Sequence, residues 1–139
     1  MAHWLFKSEP ATWSFEQQLE AGEKGTFWNG VRNHLAKQQM MAMRVGETGF
    51  FYHSNEQKAI VGVVEVIKPY YPDHTDATGK FGMVDLRAVK ALKQPVSLAR
   101  IKAEPRLEQM ALVNNSRLSV QPVTEAEWRV VLELAGEKA

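Results

Sequence analysis

The sequence contains no cysteine among its 139 residues. This absence excludes disulfide bonds, thiolate-bound zinc and a cysteine nucleophile, and it suits a reducing intracellular compartment. Long apolar runs are also absent, because none approaches the roughly 20 residues that a membrane-spanning helix requires. The N-terminus lacks the charged start and apolar stretch of a secretory signal. We therefore expect an intracellular protein without a membrane partner.

Recognisable metal and phosphate motifs are missing as well. The four histidines, His3, His34, His53 and His74, are scattered, and no two of them stand four residues apart as helical zinc ligands do. The glycines fit neither the phosphate-binding loop nor the dinucleotide-binding fingerprint. We expect no metal ion, no cofactor and no nucleotide hydrolysis of the usual kinds.

An excess of one charge is lacking over the whole chain, which has 17 basic and 16 acidic residues. General attraction to polyanions is therefore excluded as the main source of affinity. One local exception lies between residues 86 and 106, where Glu104 is the single acid. The basic residues there are Arg87, Lys90, Lys93, Arg100, Lys102 and Arg106. This basic stripe is interpreted either as a contact for a few phosphates or as an ordinary solvated surface.

What is present is the pattern of an α+β domain, which we expect to span residues 1–139. Helices are predicted after Ser14, Asn33 and Thr124, each a good N-cap residue, and short helical turns follow residue 97. Gly62 lies inside a predicted strand, where a missing side chain indicates a bend or the close approach of another backbone or a ligand. Strands are predicted at residues 3–6, 26–28, 49–54, 59–67, 83–92 and 118–122. Residues 55–58 form a hairpin turn, and residues 69–82 are predicted as a loop.

Two predicted strand ends carry candidate binding residues. Lys7, Ser8 and Glu9 follow the first strand, and Pro10 cannot continue its hydrogen-bonding ladder. Trp28 ends another strand shortly before a predicted helix start, where backbone N–H groups lack helical partners. An aromatic ring beside an amide and free N–H groups is suited to holding one planar heterocycle. The alternative is that Trp28 is simply buried, as most tryptophans are.

Six segments of the chain resemble the signature blocks of the EVE domain family, in the family order. They are WLFKSEP (4–10), WNGVRN (28–33), FFYHS (50–54), IVG (60–62), YPD (71–73) and SRLSVQP (116–122). The resemblance implies a PUA-like fold, a curled and mostly antiparallel sheet or open barrel flanked by short helices. It also implies kinship with YTH domains, which read methylated adenine in RNA. Members of this family would be cytoplasmic in bacteria and nuclear in eukaryotes.

The kinship with YTH domains places the Lys7–Ser8 strand end and Trp28 at positions that line the base pocket. A second tryptophan wall is not evident, because Trp13 precedes a predicted helix and Trp128 belongs to the terminal helix. The loop at residues 76–82 is also plainer than is common in the EVE family. The resemblance therefore favours a modified base other than methyladenine.

Three functional hypotheses follow. The favoured one is a non-catalytic module that accepts a single flipped, modified base of DNA or RNA, with Trp28 stacking on it. Its predicted site residues are Lys7, Ser8, Glu9, Trp28, Val31, Arg32, Asn33, Tyr52, His53, Ser54 and Arg117. The alternative is an ASCH-type hydrolase or ribonuclease using Lys7, Glu9, Tyr52 and His53 in the same cleft. The third is an interaction module with residues 70–72 as an exposed anchor.

Overall fold

The computed structural model describes residues 2–55, 57–115 and 117–137. Glu56 of the predicted hairpin turn and Ser116 of the last EVE-like block lie outside the described residues. Within the described ranges, six strands form one curled sheet. They are β1 (His3–Ser8), β2 (Thr26–Trp28), β3 (Thr48–His53), β4 (Ala59–Pro72), β5 (Gly82–Ser97) and β6 (Val120–Val123).

The sheet has the order β2-β5-β4-β3-β1-β6 and is mostly antiparallel. Its one parallel pair is β1 with β3, and every other neighbouring pair of the described strands is antiparallel. The parallel register sets Lys7 beside Tyr52 and Ser8 beside His53. Two strand ends therefore reach the same edge of the sheet. The predicted α+β, mostly antiparallel architecture is confirmed.

Three helices begin at the residues that the sequence predicted as N-caps. Side-chain oxygens of Ser14, Asn33 and Thr124 each accept a hydrogen bond from a backbone N–H of the first helical turn. These bonds satisfy donors that a helix start leaves unpaired. The α-helices of the described residues are α1 (Phe15–Glu20), α2 (His34–Ala42), α3 (Leu98–Lys102), α4 (Ala111–Asn114) and α5 (Glu125–Leu134). In that part of the chain, no helix has the length and apolar character needed to cross a membrane.

Side chains of the sheet alternate between two hydrophobic cores, one on each face. Leu5 of β1 belongs to the core that α3, α4 and α5 cover, which we call the α5 face. Trp4 and Phe6 belong to the core that α1 and α2 cover, which we call the α2 face. This alternation is the ordinary period of two along a strand. Strands β1 and β3 are therefore buried on both faces over most of their length.

The prediction of a loop over residues 69–82 was wrong at both ends. Strand β4 continues to Pro72 and β5 begins at Gly82, so the connection spans residues 73–81. Tyrosines in this segment extend the ladder: Tyr71 pairs with Met83 and its hydroxyl donates to Asp85. The Tyr70 ring fills the space that a side chain at Gly82 would need. The proline and polar residues of this segment predicted a loop, whereas packing of side chains between β4 and β5 stabilises a strand.

The group that lies close to Gly62 is a side chain, rather than the backbone or ligand that the sequence predicted. A Cβ atom at this position would overlap with the Phe15 ring, which lies directly on the strand. The Phe15 ring also packs edge-on against Phe51, with centroids 5.2 Å apart. The ladder between β4 and β5 is irregular between Ile60 and Gly62. Because Gly62 has no side chain, the Phe15 ring at the start of α1 can pack directly against β4.

We expect Gly62→Ala to lower the free energy of unfolding by about 1–3 kcal/mol, because the Phe15 ring would have to be displaced from a packed core. Urea denaturation followed by circular dichroism measures this change. In a Phe15→Leu background, the same substitution should cost clearly less, since the smaller side chain leaves room for the added methyl group. An equal cost in both backgrounds would show that the ring is not what the glycine accommodates.

Candidate functional site

A cavity of about 630 Å³ lies on the protein surface where β1 ends. Its walls come from the end of β1, the turn before α1, strand β2 and the segment that follows β2. The lining residues are Lys7, Ser8, Glu9, Thr12, Trp13, Thr26, Phe27, Trp28, Asn29, Gly30, Val31, Arg32 and Ser119. The structure therefore brings together six of the predicted site residues: Lys7, Ser8, Glu9, Trp28, Val31 and Arg32.

The sequence left open whether Trp28 is a buried core residue or part of the binding site, and both interpretations apply. Its side chain is largely buried on the α2 face, where the ring packs edge-on against Phe6 and Phe51 with both centroids 5.5 Å away. The same residue lines the cavity. Pairing of β2 with β5 places Trp28 opposite Val84 and fixes its position. Trp28 is therefore a core residue that also forms a wall of the cavity.

Trp13 forms a second aromatic wall, which the sequence analysis missed. Its backbone N–H donates to the Glu9 carbonyl (2.9 Å), and its own carbonyl accepts from the Ser8 hydroxyl (2.6 Å). Its indole N–H donates to Gln18 Oε1 (2.9 Å). Trp13 precedes α1, as the sequence predicted, and it also lines the cavity. Pro10 was the available signal, since a turn directly after β1 brings the following residues back over the strand end.

Several other lining residues carried no sequence signal. Phe27 stands on the edge strand β2, is 42% exposed, and its ring meets the His74 ring edge-to-face at 4.7 Å. Asn29 is exposed and lies directly after β2. Ser119 accepts a backbone hydrogen bond from Lys7 (2.9 Å) and so joins the rim. Polar residues of these types are common in turns, so composition does not distinguish them from ordinary loop residues.

Five predicted site residues do not line the cavity: Asn33, Tyr52, His53, Ser54 and Arg117. The Asn33 side-chain oxygen caps α2 by accepting from Ala36 N at 2.9 Å. Tyr52 is buried in the core of the α5 face, and burial raises the pKa of its hydroxyl. Ser54 donates its backbone N–H to the Ser8 carbonyl, and Arg117 is exposed elsewhere on the surface. A position close to a strand end in the sequence therefore did not ensure that a residue lines the cavity.

Both ring nitrogens of His53 are engaged in structural hydrogen bonds. Its Nε2 lies 3.0 Å from the backbone nitrogen of Phe15, which can only donate, so Nε2 is the acceptor. The proton therefore sits on Nδ1, which donates to Gln57 Oε1 at 2.6 Å. His53 thereby ties the start of α1 to the end of β3. Neither nitrogen faces the cavity as a general base would.

The four residues of the hydrolase hypothesis are not brought together. Lys7 and Glu9 line the cavity, whereas Tyr52 and His53 do not, and these two lie on opposite faces of the sheet. The Lys7 ammonium lies 5.9 Å from the centre of the Tyr52 ring, and burial lowers the pKa of this ammonium. This contact orders the lysine but supplies no base or nucleophile at the cavity. The geometry that the hydrolase hypothesis requires is absent from these residues.

A buried carboxylate holds the outer wall of the cavity in place. The Asp73 side chain accepts hydrogen bonds from the backbone of Gly30 (2.8 Å) and from the Arg32 guanidinium (3.0 Å). It also accepts from the backbone N–H (2.7 Å) and the hydroxyl of Thr75. Arg32 additionally donates to the Val31 carbonyl and the Thr75 hydroxyl. Hydrogen bonds thus connect Gly30 and Arg32 of the cavity wall to the loop between β4 and β5.

The same contacts govern the ionisation of Asp73. Burial alone would raise the pKa of its carboxyl group, because a charge is costly away from water. The hydrogen bonds from Thr75, Gly30 and Arg32 outweigh burial and hold the pKa well below its usual value. Asp73 is therefore a carboxylate throughout the neutral range, and its charge is needed to keep the wall assembled.

Three of the six residues of the basic stripe form ion pairs with acidic side chains. Arg87 pairs with Glu65, and Lys90 pairs with Glu137 at 3.0 Å. Arg106 pairs with two glutamates, each at 2.8 Å. None of the six stripe residues lines the cavity. These ion pairs favour the interpretation as an ordinary surface.

The hypothesis that residues 70–72 form an exposed anchor is weakened as well, because both tyrosine rings are packed rather than freely exposed.

Fold and site together define a PUA-like domain with a cavity walled by two tryptophans. The chain belongs to the EVE domain family, whose family model matches residues 2–134.

Close relatives share this fold over nearly the whole chain. A solved structure of an Agrobacterium tumefaciens protein is 52% identical and superimposes with a TM-score of 0.96, covering 99% of this chain and 94% of that one. Chicken thymocyte nuclear protein 1 is 36% identical over 98% of this chain and 69% of its own length. Human THYN1, solved in complex with DNA containing 5-methylcytosine, is 33% identical with a TM-score of 0.92, and the match covers 100% of both chains.

A more distant structure supports the fold assignment alone. The YTH domain of Zygosaccharomyces rouxii MRB1, solved with N6-methyladenosine RNA, has a TM-score of 0.60 at 15% identity. The match covers 99% of this chain and 86% of that domain. The predicted membership in the EVE family and the predicted structural kinship with YTH domains are both confirmed.

We expect Asp73→Asn to lower the free energy of unfolding by about 2–3 kcal/mol at pH 7, because it removes a charge to which several donors point. The native pKa of Asp73 lies below its unfolded value, so the carboxylate stabilises the fold above the unfolded pKa and loses this effect as pH falls through the native one. The difference between variant and wild type should therefore shrink below about pH 4.

Urea denaturation at a series of pH values measures this difference. Glu108→Gln is the control, because it removes an exposed carboxylate and should change stability by less than about 0.5 kcal/mol. A destabilisation by Asp73→Asn that stayed constant down to pH 2.5 would contradict the role of the Asp73 charge.

Proposed function

We propose that this chain is a non-catalytic module that binds nucleic acid and accepts one modified, flipped base in the cavity beside Trp13 and Trp28. The observation that carries the proposal is the presence of two tryptophans in the walls of one cavity, together with polar groups at its rim. Its volume of about 630 Å³ falls within the usual range of ligand pockets. Flipping a base into such a pocket is the ordinary way for a protein to reach all of its edges.

The comparison with human THYN1 supports DNA as the first partner to test. That protein was solved with DNA containing 5-methylcytosine, and its match extends over all of this chain. A single-stranded RNA partner is the second case, since the stacking and edge contacts of the proposal do not depend on the sugar. The inferred location is the nucleus for a eukaryotic source and the cytoplasm for a bacterial one.

The lining residues divide into stacking and edge-reading groups. Trp13 supplies a ring surface for stacking, and Trp28 closes the inner wall. Asn29 replaces Asn33 as the amide that addresses the polar edge of the base, because it lines the cavity while Asn33 caps a helix. An amide offers both donors and an acceptor, which suits the edge of a base. Glu9 is exposed at the rim, where its carboxylate accepts from an exocyclic amine.

Arg32 and Ser8 line the cavity but form hydrogen bonds within the protein. The Arg32 guanidinium is bound to Asp73, Thr75 and a backbone carbonyl, so it shapes the wall. The Ser8 hydroxyl proton is donated to the Trp13 carbonyl, which leaves only its lone pairs for a ligand. Lys7 is the cation at the cavity nearest to the end of β1, and we assign it to the base edge or the adjoining phosphate.

We expect Trp13→Ala to weaken binding of a fluorescein-labelled duplex with one 5-methylcytosine about ten- to a hundredfold, because stacking on one aromatic ring contributes about 1–3 kcal/mol. Trp28→Ala should weaken it at least as much. Fluorescence polarisation measures affinity, and thermal unfolding confirms that each variant is folded. Trp128→Phe is the control, since Trp128 packs on the α5 face and should leave affinity within about twofold.

The same assay identifies the base. Duplexes and single strands of DNA and RNA that carry cytosine, 5-methylcytosine, 5-hydroxymethylcytosine, adenine or N6-methyladenine are compared at one salt concentration. A modified base should bind more tightly than its unmodified parent. Equal affinity for every modified and unmodified base, together with an unchanged affinity in Trp13→Ala, would refute a base-reading cavity.

We also expect a shallow dependence of affinity on salt. The net charge of the chain is +1, and three of the six residues of the basic stripe are ion-paired. Contact with only one to three phosphates predicts a slope of log K against log salt between about −1 and −3 for duplex DNA. Titrations between 50 and 300 mM KCl, roughly spanning physiological salt, measure it. A much steeper slope would indicate that backbone contacts, rather than a held base, dominate binding.

A further inference from the structure

Gln18 is a buried polar residue of α1 whose amide is hydrogen-bonded through both its oxygen and its nitrogen. Its side chain has no exposed surface. Its Oε1 accepts from the indole N–H of Trp13, and its Nε2 donates to the backbone carbonyl of Leu86, both at 2.9 Å. An indole N–H can only donate and a carbonyl can only accept, so the partners determine which end of the amide is oxygen. The orientation of Gln18 is therefore fixed at both ends.

These two bonds connect the Trp13 ring to the strand that also positions Trp28. Leu86 belongs to β5, and β5 pairs with β2 so that Leu86 lies opposite Thr26 and Val84 lies opposite Trp28. Strand β5 thus fixes Trp28 through the sheet ladder and Trp13 through Gln18. Both tryptophans are therefore linked to the same strand, and the Trp13 backbone is held in addition by Glu9 and Ser8.

We propose that Gln18 is a positioning residue that holds Trp13 at the correct distance and tilt from Trp28 to receive a flat ligand. That the ligand is a nucleic-acid base rests on the proposed function, whereas the positioning of Trp13 is a property of the free protein. The bond also occupies the indole N–H, and the backbone N–H and carbonyl of Trp13 are occupied by Glu9 and Ser8. Trp13 therefore offers a ligand its ring surface alone.

This proposal differs from a purely structural role for Gln18. If Gln18 only stabilised α1, its loss would lower stability and would affect affinity equally whether or not Trp13 were present. If it acts through Trp13, its effect on affinity must disappear when the Trp13 ring is removed. A double-mutant cycle separates these two cases.

The first measurement uses the free protein, labelled with ¹⁵N-tryptophan. Gln18→Leu should shift the Trp13 indole N–H resonance and speed its exchange with water, and Trp13→Phe assigns that resonance. Glu47→Leu is the matched control, because Glu47 Oε1 accepts the indole N–H of Trp4 (3.0 Å), which does not line the cavity. It should shift the Trp4 resonance and leave that of Trp13 in place. An unmoved Trp13 resonance in Gln18→Leu would overturn the proposal.

The second measurement uses the 5-methylcytosine duplex. Gln18→Leu should weaken its binding about three- to tenfold in the wild-type background and by less than about twofold in the Trp13→Ala background. Glu47→Leu should leave affinity within about twofold. Equal losses from Gln18→Leu in both backgrounds, or no loss from Trp13→Ala itself, would overturn the proposal.

Gln18→Glu provides a conservative rescue if the leucine variant folds poorly. A protonated glutamic acid offers the same acceptor to Trp13 and a donor to Leu86, whereas the ionised form repels the Leu86 carbonyl. Affinity of this variant, relative to wild type at the same pH, should therefore recover as pH falls from 8 to 5, and a flat profile would contradict the proposal. If the wild-type protein binds no oligonucleotide, the proposed function fails, and the Trp13 resonance alone decides whether Gln18 positions the ring.

Discussion

The seating of the Phe15 ring on Gly62 is the contact on which the site depends. It brings the start of α1 onto the centre of β4, and His53 holds that start through the Phe15 backbone. With α1 placed in this way, Gln18 reaches the carbonyl of Leu86, and Trp13 lines the same cavity as Trp28. A cavity with two aromatic walls thus follows from the absence of one side chain in a central strand.

The structure separates polar groups that build the cavity from those that remain available to a ligand. Asp73 and Gln18 are buried and hydrogen-bonded within the protein, so they define the shape of the cavity rather than contact a ligand. Asn29 and Glu9 stand exposed at the rim. Because buried polar groups must be satisfied within the protein, they make rigid supports. Recognition is left to a few rim groups and to the aromatic surfaces.

Sequence reasoning succeeded where structure depends on neighbours along the chain. The caps at Ser14, Asn33 and Thr124 and the polar end of β1 could be predicted, since each depends on interactions within a few residues. The position of Trp13 in the cavity wall, and the hydrogen bonds of Gln18 and Asp73 that support the walls, could not be predicted. Gln18 meets Leu86 across 68 residues, and Asp73 meets Gly30 across 43, so only the sheet order brings these partners together. Asn33 was misassigned because one amide serves as a cap or as a ligand contact, and local sequence does not distinguish the two.

The hydrogen bonds between the cavity wall and the loop at residues 73–81 affect how the cavity can change in evolution. Surface loops tolerate insertions and substitutions better than the strands that they join. Because Asp73 connects this loop to Gly30 and Arg32, changes in loop length or sequence alter the outline of the cavity while the two tryptophans stay in place. Ligand preference in such a domain can therefore diversify through a segment that contributes neither tryptophan, with the hydrophobic core left unchanged.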